Sequence, residues 1–105
     1  MHRLAAERVW YGISPSGVEG TVVLRIGIPE PQPHGDWTCT VSLGSLDSET
    51  HTIYGIDAWQ TTQLAMDFVF SLVSHRVKEG WQLFWERGGE SATPEDLRSS
   101  GARGA

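Results

Sequence analysis

Apolar and polar residues alternate singly along most of the first 55 residues, then change to a helical spacing at Asp57. The period of two belongs to strands with one face in the core, and the later period to an amphipathic helix. The stretch "GTVVLRIGIP" puts Val22, Leu24, Ile26 and Ile28 on one face. "DWTCTVSLG" does the same with Trp37, Cys39, Val41 and Leu43, leaving Asp36, Thr38, Thr40 and Ser42 opposite. A first strand over Leu4 to Ile13 is predicted with Val9, Tyr11 and Ile13 facing the core, and a fourth at "THTIYG". "SPSG" supplies a turn after the first strand, since Pro15 pre-sets φ and Gly17 tolerates a positive one. The segment "PEPQPHG", with three prolines, is predicted as loop because proline gives nothing to a ladder.

Residues 58–78 read as one long helix with Ala65, Val69, Leu72 and Val73 at the centre of its apolar arc. Asp57 as N-cap with Gln60 three residues on forms a capping box, and Gly80 suits a left-handed C-cap. "WQLFWE" is a short last strand. The predicted fold is a single α+β domain, order ββββαβ: a mostly antiparallel sheet of four to five strands with one long helix on one face. The compact part is predicted to span residues 1–87, and 88–105 to be a flexible tail with at most a helical turn at "PEDLR".

Two features exceed what this fold needs. The helix's apolar arc spans about 240°, from Leu64 and Phe68 at one edge to Trp59, Phe70 and Val77 at the other; a surface helix needs ~100°. The flanks must be covered by loops and tail or by another chain. The second feature is aromatic content. With Val9 and Leu83 inward, Trp10 and Phe84 point outward beside Arg25 and Tyr54, and aromatics with Arg are enriched at interface hot spots. A one-residue slip would instead put Trp10 in the core.

Composition narrows the choice of function. A net charge of -5, with the eight Lys and Arg scattered singly, argues against a nucleic-acid surface. No run approaches the ~18 apolar residues of a membrane span. The single Cys39 excludes an internal disulfide, and a cytoplasmic, bacterial-type protein is the default.

Catalytic constellations are scarce. Cys39 occupies a core position in a strand, where a free thiol acts as a small hydrophobe. His34, Asp36 and His51 are metal-ligand types without the spacing that pre-aligns ligands, so no metal or other cofactor is expected. "GIDAWQ" lacks the glycines and lysine of a phosphate loop. Glu7, Glu19, Asp47 and Glu49 are spread over edges and turns, as solvated charges are.

The pattern "W-T-C-T-V…Y-G-I-D-A-W-Q-T-T-Q-L-A…G-W-Q-L-F-W" resembles a family of small, uncharacterised bacterial domains. The matching positions are Trp37, Cys39, Gly55, Asp57, Gln60, Gln63, Leu64, Ala65, Gly80 and Trp85. The resemblance implies a compact sheet-plus-helix domain and no catalytic residues. A non-enzymatic interaction protein of accessory or immunity type, or a homodimer, is therefore expected. Its surface would draw on Trp10, Arg25, Tyr54, Trp59, Phe70, Val77 and Phe84. The alternative is a small enzyme or ligand-binding module with a pocket near Cys39, His34 and His51.

Overall fold

A computed structural model describes residues 3–98. Six antiparallel strands form one sheet: β1 (Leu4–Ile13), β2 (Glu19–Gly27), β3 (Glu30–Pro31), β4 (Trp37–Ser42), β5 (His51–Gly55) and β6 (Gln82–Phe84). The helix α1 (Ala58–Lys78) lies between β5 and β6 in the chain. Across the sheet, β5 pairs with β4, β4 with β2, β2 with β1 and β1 with β6. The α+β class and the single long helix are as the periodicity predicts.

On β2 and β4 the predicted face is the buried one: Val22, Leu24, Ile26, Cys39, Val41 and the following Leu43 line the core. On β1 the faces are exchanged. Trp10 is 1% exposed and Val9 lies on the outer face. Trp10 pairs with Val22 and Arg8 with Leu24, so the even-numbered residues of β1 share the core face of β2. Both faces of β1 carry large apolar residues, so alternation alone does not decide between them. Gly12, two residues on, marks the inner face: a Cβ there would lie 2.7 Å from Val22 Cγ2. Burying the larger indole wins, and Trp10 packs edge-on against Trp85 with ring centroids 5.8 Å apart. Trp10 thus leaves the predicted interaction surface.

Helix α1 buries Thr61, Ala65, Val69 and Val73 and packs chiefly on β4 and β5. Small residues in this row let the helix approach the sheet closely. Gly55 is required at the point of contact, because a Cβ there would meet Thr61 Oγ1 at 2.3 Å and its backbone nitrogen at 2.8 Å. Asp57 Oδ1 accepts from the Gln60 N–H at 2.8 Å, as a cap does. Gln60 Oε1 accepts from the N–H of Ile56, one residue before the cap.

Two departures concern irregular segments. Within the proline-rich loop, Glu30–Pro31 pairs with Thr38 and Trp37 at the start of β4. Pro31 is accommodated in a two-residue strand at the margin of the ladder. The packed chain also continues past residue 87. Ser91 bridges to Phe84, the Ala92 N–H donates to Leu83 O at 2.8 Å, and Ala92 is buried. A 3-10 turn follows at Pro94–Leu97, where the predicted turn falls, and Leu97 packs against the core. The rest of the predicted tail, 99–105, lies outside the described residues.

Candidate functional site

The outer face of the sheet does not gather the predicted aromatics. Tyr54 stands on β5 and Phe84 on β6, at opposite margins. Four strand spacings of ~4.8 Å put about 19 Å between them. Arg25 lies midway and is engaged by Glu7, Nε to Oε2 at 2.8 Å. Phe84 has Tyr11 as its cross-strand neighbour, and the Tyr11 hydroxyl bonds Glu19, whose acceptance of that proton raises the phenol's pKa.

The helix residues also divide. Val77 packs against the core. Phe70 lies beneath the guanidinium of Arg98, 3.6 Å from its ring centroid, and Arg98 also reaches Asp67 at 3.6 Å. Trp59, on the same line but at the helix start, remains 76% exposed. The opposite flank faces β5: the Phe68 ring sits on His51 with centroids 4.7 Å apart, and Leu64, one turn earlier, is 42% exposed.

Cys39 is buried beneath α1, its thiol donating to Gly27 O at 3.1 Å. Burial pushes the thiol pKa up, the opposite of what a nucleophile needs. His34 sits exposed in the proline-rich loop, and His51 is paired elsewhere. A shallow cavity of about 150 Å³ lies between α1, β1, β2 and the C-terminal turn, lined by Arg8, Leu24, Ile26, Met66, Val69 and Leu97 among others. None of Cys39, His34 and His51 contributes to it. Its volume is below the roughly 300 Å³ at which small-molecule pockets begin.

His51 joins two of the carboxylates, Asp47 and Glu49, that the sequence pattern assigns to solvated edges and turns. Asp47, Glu49 and His51 bring one donor atom each to within 4.8 Å of one another. Asp47 is already engaged: Oδ1 accepts from the Glu49 N–H at 3.0 Å, and Oδ2 meets His51 Nε2 at 2.8 Å. The Glu49 amide first, then His51, hold the Asp47 carboxyl below the usual carboxylate range. These bonds close the loop ahead of β5, which accounts for the cluster without an ion. The signal for it in the sequence is the Asp-x-Glu-x-His spacing immediately before a strand.

What remains open is the end of the molecule where β5 passes into α1. β5 pairs only with β4 among the described strands, so its other edge presents unpaired backbone groups. Tyr54 is 63% and Ile56 71% exposed. The sequence reading missed Ile56. It precedes the N-cap, where an apolar residue usually staples onto the fourth helical position, and that position is Thr61, already buried on Gly55. Charge is uneven here as well. From residue 26 to residue 75 the chain has no Lys or Arg, but it has Glu30, Asp36, Asp47, Glu49, Asp57 and Asp67.

No described helix is long and apolar enough to cross a membrane. No curated protein and no solved structure matches the chain. A family model does match, over residues 6–94, which takes in the sheet from Ala6 onward, the helix and the packed C-terminal segment as far as Pro94. The chain belongs to that family, described as a domain of unknown function, DUF6968.

Proposed function

We propose that this chain is a non-enzymatic protein-interaction module that binds another polypeptide where β5 passes into α1. One observation carries the reading. Within the six residues 54–59, Tyr54 and Ile56 are more than half exposed beside a strand edge with no partner among the described residues, and Trp59 is as exposed at the helix start that follows. Large exposed apolar side chains next to an open edge are what binding surfaces present and what monomers otherwise avoid. The buried thiol of Cys39 and the self-satisfied Asp47–His51 pair support the non-enzymatic side of the reading.

The test replaces Trp59, and in a second variant Tyr54, with a photoreactive phenylalanine analogue in the native host and illuminates the cells. A discrete cross-linked product, lost when Ile56 is changed to Ser, is the expected result. No adduct from position 59 or from position 54, with a purified protein that stays at its monomer mass of 11.6 kDa, would overturn the reading.

A further inference from the structure

We infer that the open edge of β5 receives an extended strand from a different protein, one that carries Lys or Arg at the ends of an alternating apolar segment. This rests on the interaction-module reading and specifies its partner. The geometry is that of a sheet lacking its last strand. Helix α1 packs chiefly on β4 and β5, at the margin of the sheet, so its Leu64–Phe68 flank borders the position that one more strand would occupy. Inward side chains of an added strand would pack under Leu64 and Phe68, and outward ones would stand beside Thr52 and Tyr54. β5 has none of the usual blunting devices: no Lys, no Pro, and an unbroken register from His51 to Gly55 against β4.

Charge selects the occupant. Glu49 lies just before the strand, Asp57 just after it, and Asp36 precedes Trp37, the cross-strand partner of Gly55. None of these three acids forms an ion pair among the described residues, and the nearby Arg76 is engaged by Leu46 O and Glu79. A second copy pairing antiparallel about Ile53 would set Glu49 against Asp57 at both ends, which is unfavourable. A segment with a basic residue at each end meets acids in either orientation. The covered flank of α1 already uses this chemistry within the chain, where Leu97 packs on the core and Arg98 lies on Phe70 and Asp67.

The experiment uses the full chain and a fluorescein-labelled heptapeptide, Lys-Val-Thr-Val-Thr-Val-Lys, with a Glu-ended counterpart and a version N-methylated at alternate amides. Anisotropy gives affinity, and amide chemical shifts give the site. The Lys-ended peptide should bind about tenfold more tightly than the Glu-ended one, weaken with salt, and move the amides of residues 51–56. N-methylation along the pairing edge should abolish binding, as loss of strand pairing requires. The double variant Glu49→Lys, Asp57→Asn keeps a capping side chain and leaves Asp36 as the one acid opposite the new cation, so it should remove the preference between the two peptides. If all three peptides bind equally and still shift residues 54–59, strand addition by a basic segment fails while the module reading stands. If no peptide shifts that region and the photoreactive variants give no adduct, both fail. A free protein that dimerises through β5 would also overturn the inference, since the occupant would then be a second copy.

Discussion

The two flanks of α1 carry similar apolar residues but meet different fates. On one, Phe70 is covered by Arg98 and, beside Met66, Leu97 packs on the core; the segment that brings them is tied down by the Ala92 amide on Leu83 and the bridge from Ser91 to Phe84. On the other, Phe68 rests on His51, Leu64 stands partly in solvent, and beyond β5 no further described strand follows. The cover on the first flank consists of an apolar anchor and a cation supplied from some thirty residues downstream. The second flank has the apolar residues and the acids without that cover. The over-wide apolar arc of α1 therefore divides in two: Phe70 and Val77 are packed within the chain, whereas Leu64 on the β5 flank and Trp59 at the helix start are surface.

Undocking the covered flank should have the largest effect. Ala92→Asp places a carboxylate where a buried alanine sits, and should cost about 3 kcal/mol of stability in urea unfolding. It should also raise binding of a hydrophobic dye as Phe70 and Leu97 are bared; unchanged stability would mean that the segment contributes no cover. Next comes Phe68→Ala, expected to cost about 1–2 kcal/mol, because the ring is only half buried. A loss of 4 kcal/mol or more, as for a fully enclosed ring, would show that the β5 flank is closed, not open.

A smaller effect is expected at acid pH. The Asp47 carboxyl is held below the usual range by the Glu49 amide and His51, so it stabilises the fold above the unfolded-state value near pH 4. That contribution is lost as pH falls through the lower folded-state value. Asp47→Asn should therefore reduce stability more at neutral pH than at acid pH, where the parent carboxyl loses its charge, measured by urea midpoints at both. An equal loss at both would locate the effect in packing and not in the charge. The smallest change belongs to Leu64→Ser, which should stay within about 0.5 kcal/mol of the parent protein when free, yet weaken peptide binding at β5.

Much of this fold was legible because local rules agreed with tertiary demands. The alternation on β2 and β4, Asp57 as the cap and Gly55 as the turn-off from the strand each reflect one dominant constraint. β1 was not legible from periodicity, since Val9, Tyr11 and Ile13 compete with Trp10 and only the pairing Trp10–Val22 resolves it. The Asp47–His51 closure is not legible in the sequence because carboxylates in turns are normally solvated, and nothing local shows that two will converge on a histidine.

For the candidate site the division is sharper. The sequence alone determined that the apolar surface of α1 exceeds what one sheet face can cover, that residues 26–75 are purely acidic in their fixed charge, and that no catalytic set is spelled out. Only the tertiary structure decided which part of that excess is covered. Tyr54 and Phe84 fall at opposite margins of the sheet, Trp10 goes inside, and the C-terminal segment returns to one side of the helix only. The physical reason is that periodicity fixes which side of an element is apolar, whereas strand order and the reach of distant segments fix what that side meets.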